Sequence, residues 1–153
     1  MIILCDVDNV LADDSWRVGF VRHEHPDPIQ CFHAYHVASA LDSVANLHLV
    51  RVPGARVVLL TAMPEEYEPY RREWLTKARV PYEFILYRPR GNFDSAVEVK
   101  RAMVRLLRVQ YQMDFAEVVA AYDDRRDVVE MFCEEGLPGK RVFIVDYSAE
   151  PKA

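Results

Sequence analysis

MIILCDVDNVLADD, residues 1–14, sets a short apolar run against closely spaced acids. Ile2, Ile3 and Leu4 suit a strand buried on both faces, and Asp6 and Asp8 follow where that strand would end. Side chains at i and i+2 of a strand project to one side, so the two carboxylates can converge on one ligand. Open α/β sheets bind ligands beyond the carboxyl ends of their strands. The plainer alternative is a pair of acids capping a turn.

The same pattern recurs downstream. Val57 to Leu60 is a second apolar run, closed by Thr61 and followed by Ala62, and Phe84 to Tyr87 is a third. Val118 to Tyr122 ends on Asp123 and Asp124, and Val142 to Val145 supplies a fifth strand. Between them the spacing predicts helices. One covers Val37 to Val50 and closes at Pro53-Gly54. A second starts near Pro64 and carries Tyr67, Tyr70, Trp74 and Ala78 to about Arg79. A third places Val99, Met103, Leu106 and Gln110 on one face with Lys100 in its first turns, and a fourth, with Val128, Val129 and Phe132, stops at Gly136. Lys100 alone reads as a solvated helix lysine, and Asp127 as an acid favoured by the helix dipole. Ser148 to Ala153 reads as a frayed tail.

Ala12 to His36 is polar, aromatic and irregular, with Pro26 and Pro28 forbidding one continuous helix, and reads as a flap over the strand ends. Its Trp16, Arg17, Phe20, Arg22, Phe32 and Tyr35 can stack on a base and grip a phosphate, or hold the flap on the core. His23, His25, Cys31, His33 and His36 invite a zinc reading, but their spacing matches no common zinc signature, and exposed polar side chains are the alternative.

A length of 153 residues, about half of them hydrophobic, suits one domain, 1–153, with the flap at about 12–36. The net charge of -5 argues against a generally basic nucleic-acid binder. Arg71 to Arg108 nevertheless holds ten Lys or Arg against four Asp or Glu, a local +6 that leaves -11 elsewhere, so a basic face is possible. Three cysteines without a CxxC pair, no secretory leader and no apolar span of membrane length lead us to expect a reduced, soluble, cytoplasmic protein with no membrane partner.

Asp6-x-Asp8-x-Val10 after an N-terminal strand, Thr61 closing the second, Lys100 in a later helix and Asp123-Asp124 after the fourth resemble, in order, the four motifs of the haloacid dehalogenase (HAD) superfamily. The resemblance covers essentially the whole chain. It implies an α/β, Rossmann-like fold with a five-stranded, mostly parallel sheet ordered 3-2-1-4-5 and the motifs at its C-terminal edge. The phosphatase domain of bacteriophage-type polynucleotide kinase/phosphatases is similar in DVDNVLA (Asp6 to Ala12), YRREWL (Tyr70 to Leu75), VEVK (Val97 to Lys100) and DDRRDVVEMF (Asp123 to Phe132). No GxxxxGK[ST] occurs, so no P-loop kinase is expected in this chain.

The resemblance implies Mg²⁺ held by Asp6, Asp123, Asp124 and the Asp8 carbonyl, with Lys100 and Thr61 beside the phosphate. Asp6 would then be the nucleophile and Asp8 the acid and base. A second acid favours a phosphatase over a dehalogenase, because a halide leaves without a proton. Asn9, Ala62, Arg17, Trp16 and Arg88 are the expected substrate contacts. Asn9-Val10 stands where the superfamily often has Gly-Thr, and Asn tolerates the left-handed bend nearly as Gly does. Ala62-Met63 stands where the resemblance leads us to expect a Gly-Arg pair, with Arg17, Arg88 or Arg90 as the alternative sources of that charge, and Ala96 falls where an acid is expected, with Asp94 close by. The implied activity is removal of phosphate from nucleic-acid 3′ ends. The alternatives are a nucleotidase acting on free nucleotides and a non-catalytic binding module.

Overall fold

The computed structural model describes residues 1–22 and 27–149. Ile2–Cys5 (β1) forms the centre of a five-stranded parallel sheet with Arg56–Pro64 (β4), Phe84–Arg88 (β5), Val118–Asp123 (β6) and Gly139–Arg141 (β7), in the order β5-β4-β1-β6-β7. That is the expected order. All four residues of β1 are buried, as a central strand covered on both faces requires. The period of two sorts its side chains into two cores. Ile2 and Leu4 pack with Val58 and Leu60 against the helices Ala96–Val109 (α4) and Arg126–Glu134 (α5). Ile3 and Cys5 pack with Val57 and Leu59 against Trp74 and Leu75 of Glu68–Ala78 (α3).

The strand expected at Val142 to Val145 lies earlier, at 139–141. Gly139 pairs with Ala121 so close to α5 that a Cβ there would meet the Val129 carbonyl at 2.7 Å. The apolar run that mimicked the strand leaves the sheet and docks on Asn9, where Ile144 N donates to the Asn9 carbonyl and Val145 N to Asn9 Oδ1, both at 2.9 Å.

The helix expected at Val37 to Val50 is also absent. Its place is taken by 3₁₀ turns at Ala38–Leu41 and Leu47–Leu49 and by Ser43–Val44 (β3), which pairs with Ala12–Asp13 (β2). Asn46, left-handed at φ 52, breaks the helical path. The helix forms upstream at Pro28–Val37 (α2), after the short Gly19–Arg22 (α1), because Asp27 caps the N–H groups of Ile29 and Gln30 and Pro28 presets the first turn. Flap structure therefore continues beyond residue 36.

α3 buries Arg71 with Trp74 and Leu75, while Tyr70 and Ala78 are half-buried. In α4 the buried stripe is Val99, Lys100, Met103, Val104 and Leu107, and Gln110 is exposed just beyond its end. The expected basic face is largely consumed. Arg71 and Lys100 are buried, Arg72 pairs with Glu68 and Lys77 with Glu73, and Arg101, Arg105 and Arg108 gather on Glu135. Arg88 is spent on backbone carbonyls, leaving Arg79 and Arg90 without a side-chain partner among the described residues. No helix among the described residues is long and apolar enough to cross a membrane. His23, His25 and Pro26 of the flap, and Glu150 to Ala153 of the tail, lie outside the described residues.

Candidate active site

β1 ends at Cys5, and the N–H of Asp6 just beyond it still donates to the Tyr122 carbonyl of β6 at 2.9 Å. The adjacent strand thereby sets Asp123 and Asp124 beside Asp6, and one carboxylate oxygen from each lies within 4.8 Å of the others. Lys100 reaches up from α4, its Nζ 2.8 Å from Asp6 Oδ1 and hydrogen-bonded to Asp123 Oδ2. Burial first, then the Asp123 charge, pushes the Asp6 carboxyl well above the usual range, with Lys100 pulling the other way. Three carboxylates against one ammonium leave two negative charges uncompensated, and hard oxygen donors suit a divalent cation such as Mg²⁺. Among the described residues this is the one group of acids, imidazoles and thiols placed to hold a metal. Cys31, His33 and His36 form no such group.

Asp8 stands apart from that trio in a cage of arginines. Its Oδ1 accepts from Arg17 Nη2 and Arg71 Nη2, both at 2.6 Å. Asp42 neutralises the cage from below, accepting from Arg17 Nε and Nη2 at 2.8 Å and lying 3.5 Å from Arg71. Burial would raise the Asp8 carboxyl, but Arg71 and then Arg17 outweigh it and hold the group below the ordinary carboxylate range. Trp16 Nε1 donates to Asp42 Oδ1 at 2.9 Å and Trp74 Nε1 to its carbonyl at 2.8 Å.

These contacts revise the expected substrate set. Arg17 is fully buried and bound to Asp42, Asp8 and the Tyr35 carbonyl, so it serves Asp8 instead of gripping phosphate at the surface. Trp16 holds Asp42 and lies off the cavity wall. Thr61 is likewise buried, its Oγ1 accepting from Met63 N at 3.1 Å, and it is Ala62 that lines the cavity. Asn9 adopts the left-handed bend at φ 61, but its amide is committed, Nδ2 donating to Asp124 Oδ2 at 3.0 Å and to the Val145 carbonyl at 2.8 Å. Arg88 lines the cavity while its guanidinium ties down the loop that follows β5.

The cavity, about 550 Å³, opens over Asp6, Asp8, Lys100 and Asp124. Phe32, Tyr35 and His36 form part of its wall. His36 stacks on Tyr67 at 4.6 Å, its Nδ1 without a hydrogen-bond partner, and burial lowers its pKa to about 4. Asp14, also on the wall, accepts from Tyr35 Oη at 2.9 Å, and burial raises its pKa to about 6. Sequence reasoning missed Asp42, Arg71 and Asp14. Asp42 and Arg71 lie 34 and 63 positions from Asp8, within segments that read as ordinary helix surface, so no local spacing could reveal them.

Acids at the ends of adjacent parallel strands, with a buried lysine joining them, mark the phosphatases of the haloacid dehalogenase type, and this chain is one of those hydrolases. It belongs to the family described as the polynucleotide kinase PNKP phosphatase domain, which matches residues 1–147. A chain in the structure of the Pnkp1/Rnl/Hen1 complex superposes with a TM-score of 0.67 at 21% identity, over 92% of this chain and 45% of that one. One in the structure of the Pnkp1/Rnl/Hen1 RNA repair complex gives 0.67 at 20% identity, over 92% and 42%. A hydrolase from Streptococcus pneumoniae TIGR4 gives 0.54 at 15% identity, over 89% of both. This chain spans less than half the length of the first two. No curated protein matches it.

Proposed function

We propose that the chain removes the phosphate from the 3′ end of a polynucleotide, RNA in the first instance, as a step of end repair. The observation that carries the chemistry is Lys100 Nζ held between Asp6 and Asp123 on the cavity floor. A phosphomonoester dianion repels an anionic nucleophile, so Asp6 can attack only where cations offset that repulsion. Lys100 supplies one such charge, and Mg²⁺ held by Asp6, Asp123, Asp124 and the Asp8 carbonyl would supply the rest.

Asp6 attacks phosphorus, the ester P–O bond breaks, and Asp8 gives its proton to the leaving oxygen. Asp8, now a carboxylate, takes a proton from water, whose oxygen attacks phosphorus and releases phosphate with Asp6 restored. Arg17 and Arg71 hold Asp8 as the carboxylate that the second step needs. The arriving dianion raises its proton affinity for the first. The family and the RNA repair complex containing a similar chain support the polynucleotide substrate. The three free cysteines favour a reducing cytoplasm.

One observation favours a free nucleotide instead. Most cations of the basic segment are paired or buried, so they lay no evident track for a polynucleotide backbone. The deciding experiment is phosphate release from 3′- and 5′-phosphorylated oligonucleotides and from 3′- and 5′-mononucleotides, with Mg²⁺ or EDTA, beside Asp6→Asn. Preference for the 3′-phosphorylated oligonucleotide, lost with EDTA and in the variant, is expected. Preference for mononucleotides would establish the nucleotidase.

A further inference from the structure

Phe93 is 95% exposed, the most exposed of the large apolar side chains among the described residues, yet it lies on the wall of the cavity that holds Asp6 and Lys100. Two other exposed rings are covered: Tyr111 stacks on Phe84 at 4.7 Å, and Arg141 lies over Phe143 at 4.6 Å. Phe93 has neither a ring nor a cation against it among the described residues. A lone exposed ring is ordinary on a protein surface; what sets Phe93 apart is its place on the wall of the cavity over Asp6 and Lys100.

The loop presenting the ring is held firmly. Arg88 donates from Nε to the Ala62 carbonyl at 2.9 Å and from Nη1 to the carbonyls of Asn92 at 3.2 Å and Asp94 at 2.5 Å. Arg90 N donates to Glu65 Oε1 and Asp94 N to Asn92 Oδ1, each at 2.9 Å. Gly91, at φ +76, takes the left-handed position that lets the turn close. A loop ordered in advance offers its ring without the entropic cost of ordering the backbone on binding.

We propose that Phe93 is the stacking platform for the nucleobase of the nucleotide whose phosphate meets Asp6, an inference that rests on the phosphatase reading above. Every base has a π-face, and an aromatic side chain binds it without needing sequence information or charge, which suits a wall with few free cations. The cavity is of a size that accepts a nucleotide. Phe32, 44% exposed on α2 and set edge-on against His36 at 4.5 Å, offers a second apolar wall from the flap.

The test compares Phe93→Ala and Phe93→Trp with the parent enzyme on a 3′-phosphorylated oligonucleotide, the same oligonucleotide with an abasic terminal residue, a free 3′-mononucleotide and glycerol 2-phosphate. Phe93→Ala is expected to raise KM about 5- to 100-fold on the substrate whose terminal residue carries a base, with kcat little changed. The abasic oligonucleotide and glycerol 2-phosphate should show no such loss. Phe93→Trp should restore KM, and dephosphorylated oligonucleotide should quench its added fluorescence. An equal loss on all substrates, or unchanged KM with no quenching, overturns the proposal. If the mononucleotide is turned over and unaffected while the oligonucleotide is impaired, the ring serves a base further along the strand, and the assignment to the reacting nucleotide is overturned. Quenching without turnover of any substrate would uphold the platform and overturn the phosphatase reading instead.

Discussion

Arg17 and Asp42 form a two-pronged ion pair wholly out of solvent, Nε to Oδ1 and Nη2 to Oδ2, both at 2.8 Å. Such a pair is weak evidence of stability gained over an apolar equivalent, but breaking it strands a charge in the interior. Asp42 has a further duty, because without it two arginines would crowd Asp8 unneutralised.

Asp42→Asn is therefore expected to lower the unfolding free energy by about 3–5 kcal/mol. Urea denaturation should show an earlier midpoint with an unchanged slope. A loss below about 1 kcal/mol would place the pair among ordinary surface contacts.

Lys100→Met removes the one ammonium among the three acids while keeping most of the buried stem. Turnover should fall about 10²- to 10³-fold, the scale of losing one preorganised electrostatic contact in a transition state. Retention of more than a tenth of the activity would exclude Lys100 from the reaction.

Asn9→Ala deletes the amide that steadies Asp124. Loss of an outer hydrogen bond to a metal-ligating carboxylate typically weakens metal binding 10- to 100-fold. The Mg²⁺ concentration for half-maximal activity should rise by that factor, and an unchanged requirement would refute the role.

His36 links stability to pH. Burial lowers its pKa from 6.5 to about 4, with Asp8 opposing and Arg17, Arg71 and Arg88 adding to the effect. The unfolded chain takes up the proton first, so the contribution of His36 is present above pH 6.5 and is lost as pH falls through about 4. Its full size is about 3 kcal/mol. Against His36→Phe, the parent should lose relative stability progressively across that window, and parallel stability curves would show that the imidazole is not protected from protonation.

The strands were legible where the apolar runs are buried on both faces, as at Ile2 to Leu4 and Val57 to Leu60, and Val118 to Tyr122 was legible as an apolar run although Val119 is exposed. The same signal misled at Val142 to Val145, because a run that packs over a loop is as apolar as one that pairs in a sheet. The helix expected at Val37 to Val50 failed because its apolar spacing is shared among short turns around left-handed Asn46. In the site, Asp6, Asp8, Asp123, Asp124 and Lys100 were recognisable through their order along the chain; Asp6, Asp123, Asp124 and Lys100 come together, while Asp8 faces the same cavity from its cage of arginines. The cage of Asp42 and Arg71 was not, since charge pairing across distant segments leaves no periodicity in the sequence.

Asn9 also places a clock in the molecule. It is made 136 residues before Val145, the partner that its amide both donates to and accepts from. At ordinary rates of translation that interval is on the order of ten seconds. Throughout it, the first loop is already synthesised while the brace for Asp124 is incomplete. A nascent chain can thus make its central strand early, yet it finishes the corner around Asp124 only when the run ending at Val145 arrives.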